Sequence, residues 1–218
     1  MGKHGGCVPV FVCSPGFETG GTTLSLTLGI AGFVLYILYD INSITLRSRL
    51  LHAAFAVGTL LVATATVLDI LVAWRLGAFS GAADTALIAA AVVCFGALVY
   101  SLFFALPFQA TYGAGSAGRH VCSRGIYGLC RHPGILCFFG MFLFLGIAAL
   151  PGRLLVNGIV FSLLDLAYAW FQDRVTFPKT FCDYEDYQKK VPFLIPTGDC
   201  IRLARQTRSR SVSEEDET

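Results

Sequence analysis

The residues best suited to chemistry are gathered in one short stretch, Arg124-Gly-Ile-Tyr-Gly-Leu-Cys-Arg-His-Pro133. Two guanidinium groups and an imidazole stand here between apolar runs. A charge is costly inside hydrocarbon, so the cluster belongs at a membrane edge, facing water or an anionic ligand. Pro133 suits the first turn of a helix, and the free amides of such a turn point toward any anion placed there. A carboxylate or phosphate would meet the Arg131 fork and that helix end together. Arg124 is a second, less specific cation, since an interfacial arginine also serves simply to fix orientation. His132 is placed either to contact the ligand or to cap the helix.

A second group lies downstream. Asp165, Tyr168 and Gln172 share one helical face. An acid deep in an apolar run is a functional candidate, or else the partner of a neighbouring helix. Asp173 follows as that run ends, placed to meet a cationic group from the side opposite Arg131. Asp69 lies in an earlier apolar run, and pairing with Arg75 or interfacial water accounts for it. Tyr184, Tyr187 and Val191 repeat at helical spacing with charges on the other face, which predicts an amphipathic interfacial helix with tyrosines at headgroup depth. The Val191–Pro196 run then folds back against the bundle. His120-x-Cys122 and Cys130-x-His132 lack the spacing of usual zinc pairs. No metal is expected, and Cys122 and Cys130 read as pocket walls.

These groups need a scaffold, and composition names it. Of 218 residues, 55% are hydrophobic and only 14% charged. A soluble chain of this length has too little interior for so much apolar surface. Uncharged runs approaching the ~20 residues that cross a bilayer recur. The fold class is therefore all-α: a polytopic membrane protein with about five spans, near 22–41, 50–74, 85–106, 133–150 and 154–171. Residues 1–21 read as a loose arm, 22–208 as the membrane domain and the Ser- and acid-rich 209–218 as a disordered tail. The net charge of +2 carries no basic stripe, so nucleic acid is not a partner. Eight cysteines in a chain this long make no disulfide scaffold. Lys and Arg concentrate in the first loop, the third loop and the tail. That bias predicts an outside N-terminus and a cytoplasmic C-terminus.

The short link Pro151-Gly152-Arg153 makes the fourth and fifth spans a helical hairpin. Spans of similar length return the chain to its starting side. The 124–133 motif and the 172–190 segment are thus expected to meet at one surface.

Gly125-x-Tyr127-x3-Arg131-His132-Pro133, with the downstream Phe181, Tyr184, Tyr187, Val191-Pro192 and Ile195-Pro196, resembles the isoprenylcysteine carboxyl methyltransferase and phospholipid methyltransferase superfamily. The resemblance covers about the last hundred residues. It implies S-adenosylmethionine as cofactor, held by Gly125, Tyr127, Arg131, His132, Pro133, Gln172 and Asp173. It also implies a lipid-like acceptor arriving from the bilayer. Arg131 and His132 would be the catalytic pair, and Asp165, Tyr168, Tyr184 and Tyr187 the acceptor-side candidates. Where the family carries paired glutamates this chain has Gln172-Asp173. Two alternatives stand beside this one: a nicotinamide-dependent membrane sterol or lipid reductase, whose members end in a similar hairpin, and an inactive scaffold of the same fold.

Overall fold

A computed structural model describes residues 15–46, 48–105, 120, 121, 123, 125–150, 152–198 and 200–202. Its helices are α1 (Pro15–Ile44), α2 (Arg49–Arg75), α3 (Ala82–Val99), α4 (Pro133–Ala148), α5 (Arg153–Phe171) and the short α6 (Tyr184–Lys190). π-type turns at Tyr100–Phe104 and Gln172–Thr176 extend α3 and α5. No strand occurs among the described residues.

The fold is all-α and polytopic. Four stretches are long and apolar enough to cross a membrane: Thr23–Ile44, Leu51–Arg75, Ala82–Phe104 and Arg153–Thr180. Large apolar side chains line their outer faces, among them Leu60, Val93, Phe104 and Leu163. So extensive an exposed apolar surface is stable in lipid and prone to aggregate in water. The run expected to cross at 133–150 forms the 16-residue α4. At ~1.5 Å per residue it is about 24 Å long, short of the ~30 Å hydrocarbon core. α1 begins at Pro15, inside the stretch expected to be a loose arm. Residues 1–14 of that arm and the tail from 203 onward lie outside the described residues.

Small residues let the helices approach. A Cβ added to Gly32 or to Gly58 would stand 2.8 Å from the other's carbonyl oxygen, so α1 and α2 touch backbone to backbone there. Between α1, α2, α4 and α5 the core is aromatic. Phe142 packs edge-on to Phe161 at 5.7 Å and to Phe138 at 4.9 Å. The Phe161 ring fills the space beside Gly29, where a methyl group would overlap it. Gly29→Ala is therefore expected to lower stability by ~1–3 kcal/mol, the usual range for an overpacked core. Gly96→Ala, with open space at its Cβ inside α3, should instead raise it by ~0.4–1 kcal/mol, the helix-propensity gain over glycine. Chemical unfolding of both variants in the same detergent checks the pair.

Buried ion pairs stand at both ends of this core. At one end Asp69 of α2 is fully buried and held by three side chains. Ser25 donates to Oδ1 at 2.8 Å, Asn157 donates to Oδ2 at 2.8 Å, and Arg153 Nε lies 3.2 Å from Oδ1. The expected partner, Arg75, is replaced by Arg153. The reason is geometric: six residues along a helix turns about 240°, onto another face. At the other end lies a second charged knot. From Arg153 to Asp173 along one helical rod is about 30 Å, the thickness of the hydrocarbon core.

Candidate functional site

The second knot is built by the N-terminus of α4, the π-turn after α5, and α6. Pro133 occupies the first turn of α4 and leaves Arg131 and His132 just outside it. Their backbone N–H groups donate to Pro192 (2.9 Å) and Phe193 (3.2 Å), so the 191–196 segment folds back as expected and straps the motif down. Gln172–Thr176 forms the wider turn that carries Asp173, which faces Arg131 and α6. Turns of this kind recur at functional sites.

Asp173 is the centre. Its Oδ1 receives the Tyr184 hydroxyl at 2.6 Å and lies 3.0 Å from Arg131 Nε. Its Oδ2 accepts from Arg131 Nη2 at 3.2 Å and from Gln188 Nε2 at 3.0 Å. Arg131 thus grips the carboxylate with two nitrogens and donates its third, Nη1, to the Gln188 carbonyl at 3.0 Å. The pair is withdrawn from solvent, with side chains 11% and 4% exposed. Burial, reinforced by the neighbouring carboxylate, pushes the Tyr184 phenol up, which keeps it a neutral donor. His132 packs between Phe177 and Phe193, and the Arg131 guanidinium lies over the Phe193 ring. The imidazole Nε2 lies 3.5 Å from Asp173 Oδ1, and this buried atom makes no hydrogen bond among the described residues.

The structure therefore brings together Arg131, His132, Pro133, Asp173 and Tyr184. Tyr127 and Tyr187 brace this knot from behind: Tyr187 donates to the Tyr127 carbonyl at 2.6 Å, and Tyr127 donates to the Ser101 carbonyl at 2.9 Å. Gly125 has φ of 62°, a left-handed conformation that glycine adopts freely. Arg124 and Cys122 lie outside the described residues. Cys130 is a buried free thiol.

Asp165, Tyr168 and Gln172 belong to a separate cluster facing α1. Gln172 donates to the Tyr168 hydroxyl at 2.9 Å, and Tyr168 stacks on Tyr36 at 5.4 Å. Asp165 lies within electrostatic range of Tyr36. Asp40, on the last turns of α1, faces Tyr168, Gln172 and Thr176. Gln172 and Asp173 are chain neighbours, yet their side chains serve different clusters.

Two participants escaped the sequence reading. Gln188 clamps both the side chain and the carbonyl of Asp173. It stands four residues after Tyr184 on the same face of α6, a spacing that signals it. Asp40 carried no comparable signal, because its partners are distant in the chain.

An apolar groove of about 250 Å³ opens beside the knot, between α4 and α5. Ile135, Phe139, Ile159 and Leu163 line it, with Leu194 of the strap. Ile135 of its lining, on α4, stands one turn after His132. Comparison of the chain with protein-family models, with curated proteins and with solved structures finds no match.

Proposed function

We propose that this chain is an integral membrane methyltransferase that uses S-adenosylmethionine and acts on a lipid-like acceptor. One observation carries the reading: a buried Arg–His–Asp knot stands near an apolar groove between α4 and α5, large enough to take an apolar chain. The residues fit the cofactor in kind. Arg131 would hold its carboxylate and Asp173 its ammonium, so one internal ion pair is exchanged for two with the ligand. The unsatisfied His132 Nε2 supplies a further polar contact. When bound, the cofactor supplies an electrophilic methyl group on a sulfonium.

The chain's own contribution is positional. Tyr184 and Gln188 fix Asp173, while the strap fixes Arg131 and His132. Holding two reactants at near-contact distance accounts for much of the rate of such a displacement. A carboxylate or thiolate acceptor needs no base, whereas an amine acceptor would release its proton to His132 Nε2. The Lys and Arg bias orients the knot toward the cytoplasm.

A second reading has its own support. Every oxygen of Asp173 is already satisfied internally, as in a scaffold that has lost its ligand. Calorimetric titration in detergent with S-adenosylmethionine and with NADPH decides. Binding of the former is expected, weakened by ~1–3 kcal/mol in Arg131→Ala, the size of a charged hydrogen-bond partner. Arg131→Lys keeps the charge and loses the fork, and should fall between the two. Binding of NADPH alone would make the protein a reductase. Binding of neither would leave the scaffold.

A further inference from the structure

We propose that His120, Cys182 and Asp183 form a binding site for a zinc-class divalent cation at the N-terminal end of α6. The three side chains offer one imidazole nitrogen, one thiolate and one carboxylate oxygen, all within 4.8 Å of one another. This mixed N, S, O set suits zinc. The site stands apart from the Arg131 knot and uses none of its residues.

The separations bring the three ligand atoms close to the distances found around one cation. His120 Nδ1 lies 3.2 Å from Asp183 Oδ2 and 3.5 Å from Cys182 Sγ. Ligands on one tetrahedral zinc, with Zn–N ~2.0–2.1 Å, Zn–O ~2.0–2.2 Å and Zn–S ~2.3 Å, stand ~3.3 Å (N to O) and ~3.6 Å (N to S) apart. The two His120 separations fit this pattern, while Cys182 and Asp183, within 4.8 Å of each other, would draw together on a metal. Cys182 Sγ is also 3.8 Å from His120 Nε2, so it faces the ring rather than one lone pair. Closure on a metal therefore requires the imidazole to rotate. With a side chain 71% exposed, it is free to do so.

A second, independent observation concerns Asp183. It occupies the N-cap of α6, where an aspartate ordinarily accepts from its own helix's first amides. Here it makes no such bond. Its Oδ1 accepts from the Val121 N–H at 2.9 Å instead, which turns Oδ2 toward His120. A backbone donor that orients a ligating carboxylate is the usual supporting partner at metal sites. Three protein ligands leave the fourth position to water. A bound cation would fasten residues 120–121 to the start of α6, the helix whose Tyr184 and Gln188 hold Asp173.

The test uses the full chain in detergent, without a histidine tag. Equilibrium dialysis against zinc, followed by metal analysis, should find a tightly held ion. Titration with cobalt(II) should give a thiolate-to-cobalt charge-transfer band. Cys182→Ser is expected to abolish the band and weaken zinc binding by ~100-fold or more, at or beyond the upper end of what losing a mere supporting partner does. His120→Ala should do the same, and Asp183→Asn should weaken binding by ~10-fold. Cys94→Ser and Cys200→Ser should leave band and affinity unchanged. Zinc should raise the unfolding temperature of the parent but not of Cys182→Ser. Zinc affinity unchanged in both Cys182→Ser and His120→Ala overturns the proposal, as does a band lost with Cys94 or Cys200 instead. Failure of the parent to retain zinc overturns it too.

Discussion

Replacing Asp173 with alanine is expected to lower the unfolding free energy by ~3–5 kcal/mol, the range for removing one partner of a buried ion pair. The change leaves Arg131 inside the protein without its carboxylate and strips the Tyr184 hydroxyl of its acceptor, while the Gln188 amide loses one of two acceptors and keeps the Asp173 carbonyl. Each orphaned group adds a desolvation penalty of ~1–3 kcal/mol, partly relieved where a side chain can turn to water. The charge, more than the hydrogen bonds, should dominate, and a companion variant separates the two. In Arg131→Met/Asp173→Leu no charge is stranded, and apolar replacement of such pairs is often neutral or stabilising. Most of the lost stability should return. A double variant as unstable as Asp173→Ala would assign the loss to the tyrosine and glutamine bonds instead. The same double variant tests function without the confusion of unfolding, since a folded protein lacking both charges should bind no S-adenosylmethionine.

How much of this was legible in the residues depends on chain distance. The hairpin was, because a link as short as 151–153 forces α4 and α5 to be neighbours and returns Asp173 to the level of Arg131. The common face of Tyr184, Tyr187 and Val191 on α6 was too, from their spacing. The tyrosines expected at headgroup depth are instead buried against Val121, Phe177 and Phe181, because their hydroxyls find acceptors in Asp173 and the Tyr127 carbonyl. Charge type alone suggests that Asp173 meets a cation from the side opposite Arg131, because opposite charges can be satisfied by a ligand as well as by each other. The coordinates pair them directly. Local periodicity held more than was taken from it. It excludes Arg75 as the partner of Asp69 and marks Gln188 as a companion of Tyr184. Contacts that join remote segments left no trace in spacing. The Phe161 ring beside Gly29, Asp40 facing Thr176, and His120 beside Asp183 depend on how helices stack and where a long connection returns.

The Asp69 network at the opposite end allows the balance of charge against hydrogen bonding to be measured inside the membrane domain. Asp69→Ala is expected to cost ~3 kcal/mol, the lower end of the range for breaking a buried pair. The lower end applies because Arg153 sits at the first turn of α5 and is partly exposed, so its long side chain can snorkel to the boundary once released. Asp173 has no such relief on its side, where Arg131 is also held by the Gln188 carbonyl and the Phe193 ring. Ser25→Ala removes the bond to this carboxylate and the one Ser25 accepts from Asn157, and should cost only ~1 kcal/mol, about twice the ~0.6 kcal/mol average for a polar contact between membrane helices. Unfolding of both variants in mixed micelles reads the difference directly. Equal losses would mean that Asp69 is held by its neutral donors and that Arg153 is already satisfied by interfacial water. A gap of the expected size would mean that an ion pair closes this end of the bundle. It would then fix the register of α5 against α2, and through α5 the height at which Asp173 meets Arg131.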